Sequence, residues 1–179
     1  MHIKAKKMAF GGLLLALSVI CMILGSVIET GTLFLLAAAS FFVGIVFREF
    51  GRKTAAAFYV AGVLLGLILA PNKLYVATYG MMGFFILTEE TAWERLSGWN
   101  AGVRKKTAVL WGIRYAVFDL IYVPAVLFFQ KLLFARTLPF WATAGILAAG
   151  QAVLWLYVGA YGYVQRELWG KLRGHIFQA

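Results

Sequence analysis

The sequence predicts an all-α polytopic membrane protein, a compact six-helix transmembrane bundle in a single integral membrane domain over residues 1–179, and three observations carry that prediction. Hydrophobic residues make up 63% of the 179 and charged residues 13%, far from the roughly half apolar and quarter charged balance of soluble domains. Apolar segments recur at about 8–28, 31–47, 54–70, 74–88, 107–129 and 138–164, with short charged or Gly- and Pro-containing breaks between them. Basic residues then alternate with the segments. Thirteen of the 17 Lys and Arg fall on one side, in the clusters at 4–7, 48–53, 95–106 and 166–173, whereas Lys73, Lys131 and Arg136 fall on the other. That asymmetry fits six spans in a bacterial cell membrane with both termini in the cytoplasm.

The first segment follows the basic prelude H-I-K-A-K-K. Its apolar run exceeds the 7–15 residues of a signal-peptide core and has no small-residue cleavage site before Glu29, so an uncleaved span is expected. Ala5, Ala9, Gly12 and Ala16 recur along it at spacings of four, three and four. Small residues on one stripe let a second helix approach closely, which drives association in lipid, where burial of apolar surface does not. Cys21, the one cysteine, reads as a packing residue and leaves no intramolecular disulfide. Ser40 with Gly44 in the second segment, and Gly62 with Gly66 in the third, repeat the small-residue spacing.

Glu29 sits in the turn I-E-T-G after the first segment, and the turn A-P-N-K-L-Y before the fourth carries Asn72 and Lys73, with Tyr75 and Tyr79 one helical turn apart. An amide, an ammonium and phenols at the mouth of a bundle suit recognition of a small polar ligand by hydrogen bonding and stacking. The same residues also suit a headgroup anchor and an aromatic belt. The fourth segment is the shortest. The polar stretch 89–106 beyond it reads as an anchored interfacial loop or a docking surface, and its first half, with Trp93 and Leu96 three apart, is expected to continue the fourth helix along the membrane surface.

The fifth segment holds the sharpest feature. Counted from Lys106, Arg114 and Asp119 lie roughly 12 and 20 Å along a helix, on either side of mid-bilayer. A charge at the centre of a span costs on the order of 2.5–3.5 kcal/mol, so both are expected to find partners inside the bundle. Five residues of separation set them roughly 140° apart, which disfavours mutual pairing. Trp111, Tyr115, Phe118 and Tyr122 form an aromatic stripe between them, and Pro124 follows. Either Arg114 and Asp119 are satisfied by carbonyls, tyrosines or Gln151 of the sixth segment and set the packing, or they line a polar cavity.

Several function classes are excluded by residue content. The formal charge of +10 would suggest nucleic acid in a soluble protein, but here the cations flank apolar runs, where they meet headgroups. E-E-T-A-W-E-R resembles the E-E-x-x-x-R signature of intramembrane CAAX-type proteases with Arg95 one residue late, and the two histidines, His2 and His175, lie near the chain ends. No metal-activated water is therefore expected. A phosphate-cradling glycine loop followed by Lys and Ser/Thr is also missing, so neither enzymatic activity nor a cofactor is expected.

Six short spans, the A-F-G-G-L-L-L-A stretch of the first helix and the polar, aromatic outward loop together resemble the substrate-capturing S components of energy-coupling-factor vitamin transporters. The resemblance implies that Ala5, Ala9, Gly12 and Ala16 meet a transmembrane coupling subunit that works with ATPases. It also implies that Glu29, Asn72, Lys73 and Tyr75 contribute to a pocket for a small water-soluble, vitamin-like compound. L-F-L-L-A-A-A-S-F-F-V-G-I-V and L-L-G-L-I-L-A-P-N-K-L also look like a group of small membrane proteins of Gram-positive bacteria. The alternative role is a non-transporting membrane scaffold of bacterial envelope or cell-shape machinery, in which the stripe and the 89–106 segment matter and the outward loop does not.

Overall fold

A computed structural model describes the backbone of residues 2–128 and 139–177, and the side chains of those residues except 2–7, 29, 128 and 174–177. Lys131 and Arg136 and the side chains of Ala5 and Glu29 therefore lie outside the described residues. The described residues are helical almost throughout and include no strand. The chain divides into two compact units, Met1–Gly98 and Trp99–Ala179. Among the described residues, five helical stretches are long and apolar enough to cross a membrane: Met8–Val27, Thr32–Phe50, Arg52–Leu69, Val103–Leu127 and Phe140–Arg173. The chain is a multi-pass helical membrane protein.

The first unit consists of α1 (His2–Val27), α2 (Thr32–Phe50), α3 (Arg52–Leu69) and α4 (Lys73–Ser97). Its turns are built by specific side chains and one glycine. Thr32 closes the α1–α2 turn, its hydroxyl donating to the carbonyls of Gly25 at 2.8 Å and Ile28 at 3.2 Å. Gly51 separates α2 from α3 at φ 85°, ψ 169°, a backbone region essentially reserved for glycine. As the sequence suggests, the fourth helix continues beyond its apolar segment, running on to Ser97 and taking Glu89, Glu90, Glu94 and Arg95 with it. α4 is not one of the five stretches named above. Its apolar length packs instead against α1, α2 and α3, which shelter it.

The core of this unit follows from helical spacing. Leu14, Ser18 and Met22, four residues apart, turn inward from α1. Val19, Met22, Leu36, Ala39 and Tyr79 form the buried cluster, with Tyr75 and Cys21 packed against it. Between α3 and α4 the contact is reciprocal. A Cβ on Gly62 of α3 would lie 2.5 Å from the Tyr79 hydroxyl oxygen, and one on Gly83 of α4 would lie 2.9 Å from the Tyr59 ring. Each helix presents a tyrosine to the other's glycine. The Tyr59 hydroxyl also donates to the Gly80 carbonyl at 2.9 Å. Gly66 adds a further close approach, to the Met22 sulfur.

The second unit contains α5 (Val103–Phe128), α6 (Phe140–Tyr163), a π-helical turn (Val164–Trp169) and α7 (Gly170–Phe177). α5 and α6 run antiparallel, as the pairs Tyr115–Trp155, Asp119–Gln151 and Tyr122–Ile146 require. Pro124 lies inside α5. It has no N–H, so the carbonyl one turn earlier, at Leu120, loses its helical donor. Tyr122 is accommodated by Gly150, where any side chain would enter the space of the phenol ring.

Candidate functional site

The polar groups of the α3–α4 turn, where the sequence suggests a ligand site, are engaged in helix ends. The Asn72 side chain accepts from the Leu74 N–H at 3.0 Å and caps α4. The Lys73 ammonium donates to the Leu67 and Ala70 carbonyls, at 2.5 and 2.8 Å, and caps the C-terminal end of α3. Tyr75 is half-buried against the core cluster, and Tyr79 is fully buried in it. The four residues thus share one end of α4 but point to different tasks. The Tyr79 hydroxyl lies beside Ser18 yet has no hydrogen-bond partner of good geometry. The Ser18 hydroxyl instead donates to the Leu14 carbonyl at 3.0 Å, with a longer contact to Ala39.

At the opposite end of the same unit lies an ion pair that reading along the chain misses. Arg48, near the end of α2, donates through Nε to both carboxylate oxygens of Glu90 at 3.0 Å and through a terminal nitrogen to one of them at 2.5 Å. The Glu90 side chain is 5% exposed and that of Arg48 40%. Glu89 is buried next to it. The only signal in the sequence is that both residues border apolar runs on the same side; taken separately, one is an interfacial anchor and the other part of a polar break.

In the second unit the expected intramembrane polar residues come together in part. Gln151 of α6 donates through Nε2 to the Asp119 carboxylate at 2.8 Å, while its Oε1 is buried without a partner. One helical turn away the Trp155 indole N–H donates to the Tyr115 hydroxyl at 2.8 Å. On the other flank the Tyr122 hydroxyl donates to the Ile146 carbonyl at 2.6 Å. Arg114 lies over the Trp111 ring at 4.6 Å, and Trp111 stacks on Trp155 at 4.9 Å. Asp119 and Gln151 form a seam with the tyrosines, while Arg114 is occupied at its aromatic margin. The seam carries a spare acceptor, the buried Gln151 Oε1. Among the described residues no three His, Cys, Asp or Glu gather closely enough to hold a metal ion.

On α1, Ala9, Gly12 and Ala16 face away from the packed side of the helix and are exposed. A Cβ added at Gly12 would meet nothing within 4 Å. The stripe is therefore open, in contrast to Gly62 and Gly66, whose smallness is used inside the unit. The chain matches no known family profile, and comparison with curated proteins and with solved structures yields no match.

Proposed function

We propose that this multi-pass membrane protein is a subunit that works through a transmembrane partner seated on the outer face of α1, as a non-transporting scaffold. The observation that carries the reading is the exposed run Ala9, Gly12 and Ala16, open at Gly12. In lipid, such a stripe favours close helix approach through packing. The engagement of Asn72 and Lys73 in capping supports the scaffold role over ligand capture. With both termini on the basic side, the Arg48–Glu90 pair and the C-terminal end of α4 face the cytoplasm in this reading.

A second reading keeps the uptake of a small water-soluble, vitamin-like compound together with an energy-coupling subunit and its ATPases. The unpartnered Tyr79 hydroxyl beside Ser18 favours it, because a polar spot in an apolar core is a place for a ligand atom to be recognised. One experiment separates the two. In a Cys21→Ala background, a single cysteine at Gly12 or Ala16 is cross-linked in membranes, and the purified protein is analysed for retained small molecules by mass spectrometry. Cross-linking to a defined membrane protein without a retained compound supports the scaffold. A retained compound lost on Tyr79→Phe supports uptake, and absence of any cross-link at either position rejects the α1 partner.

A further inference from the structure

Along α6, Ala152, Gly159 and Ala160 form the floor of an open apolar groove of about 600 Å³ with Trp155, Leu156 and Tyr163 as its walls. All six residues are exposed. From Ala152 to Tyr163 the helix rises about 16 Å, close to half of the ~30 Å hydrocarbon thickness and so to one leaflet. The groove thus has the length of a single acyl chain layer.

Charge begins where the groove ends. Tyr163 leads into the π-helical turn, and Arg166 of that turn donates through Nε to the Gly162 carbonyl at 3.2 Å, which holds its guanidinium at the groove's end. Turns of this kind often mark functional positions, since the extra residue redirects side chains. The pairs Tyr115–Trp155 and Asp119–Gln151 set the register of α5 against α6 and bring Arg166 level with Arg104. Arg104, Lys105, Lys106, Arg166, Lys171 and Arg173 therefore gather at one end of this helix pair. Glu167 pairs with Lys171 at 3.4 Å, and the second unit's other acid, Asp119, lies at the α5–α6 seam with Gln151.

We propose that this groove binds an anionic phospholipid of the bilayer, with an acyl chain along Ala152, Gly159 and Ala160 and its phosphate on Arg166. The charge complementarity selects this occupant. A second copy of the chain inserted in the same orientation would bring its own six cations to the same level, where like charges repel. A lipid phosphate brings the opposite sign to the same place. The groove shares no residue with the α1 stripe, so its failure leaves the proposed partner contact untouched.

The test uses the full chain in nanodiscs with equal phosphatidylglycerol and phosphatidylcholine, released into detergent for native mass spectrometry of retained lipid. Wild type is expected to retain phosphatidylglycerol over phosphatidylcholine by about fivefold or more, the effect of one surface cation on an anionic lipid. Arg166→Gln should bring the ratio close to one. Ala160→Leu, or Gly159→Leu in its place if the first variant aggregates, should lower the retention of both lipids by filling the groove. Arg52→Gln, which removes an exposed cation from the other unit, should leave the ratio as in wild type. A wild-type ratio near one overturns the proposal, as does unchanged retention in the groove-filling variant. An Arg52→Gln effect as large as that of Arg166→Gln would also overturn it, because the preference would then come from overall charge.

Discussion

The Gln151 side chain donates to Asp119 at 2.8 Å, so the carboxylate of α5 is met by a neutral amide of the neighbouring helix and not by the guanidinium five residues earlier. The tyrosines on either side reinforce the same contact surface, one donating to a backbone carbonyl and one accepting from an indole. Asp119 therefore acts first as a register mark between α5 and α6.

A double-mutant cycle with Asp119→Leu and Gln151→Leu should give a coupling energy of about 0.5–2 kcal/mol, the range of interhelical hydrogen bonds in membranes. Reversible unfolding in detergent measures it. Because the removed partner leaves a polar group in an apolar setting, each single variant should be less stable than the double variant. Additive single effects would mean that the bond contributes nothing to the pairing.

Arg48→Ala leaves the nearly buried Glu90 carboxylate without its guanidinium. Losing one partner of a fully buried pair costs about 3–5 kcal/mol, but Arg48 is 40% exposed, and solvent screening reduces the expected loss to about 1–2 kcal/mol. Arg48→Lys keeps the charge and loses the fork of donors, so its thermal midpoint should fall between those of wild type and Arg48→Ala. Equal midpoints for the lysine and alanine variants would show that charge alone is irrelevant at this site.

Gly62→Ala should lower stability, because the new methyl meets the Tyr79 hydroxyl at 2.5 Å and a well-packed interior resists such insertion at about 1–3 kcal/mol. Tyr79→Phe removes the atom in the way and an orphaned buried hydroxyl with it. It should therefore be neutral or stabilising alone, and should recover much of the Gly62→Ala loss when combined. The thermal midpoints of the four proteins in detergent decide this. Failure of Tyr79→Phe to rescue would place the strain elsewhere.

Asn72→Ala should cost about 1 kcal/mol through loss of the α4 cap, whereas Asn72→Asp should be nearly silent. Lys73→Met should speed amide exchange around residues 67–75 by freeing the end of α3, with little effect on α5 and α6. Hydrogen exchange read by mass spectrometry resolves both. Exchange that is unaltered by either variant would show that these side chains do not hold the turn.

Much of the fold is legible because length and apolarity fix where helices can run. The break at Gly51 and the start of α4 after Pro71 fall where the residues announce them. The extension of α4 through Glu89 and Glu90 was legible only in outline, since its buried charge depends on Arg48, 42 residues away. Gln151 could be anticipated as a partner for Asp119 because it is the single amide of its apolar segment. Arg114 could not be placed in the same way: the ring it covers, Trp111, stands one turn back on its own helix. Asn72 and Lys73 show a different limit. Their side chains offer the same donors and acceptors to a ligand or to a helix end, and only the backbone geometry around them distinguishes the two.

The reciprocal seating of Tyr59 and Tyr79 has a mechanical meaning. A shift of one helix past the other by one turn, about 5.4 Å, would drive each ring out of its notch and against bulkier neighbours, whichever way the slide ran. The third and fourth helices can thus part or travel as a block, but they cannot shear. Any rearrangement during the protein's work must be accommodated along other seams.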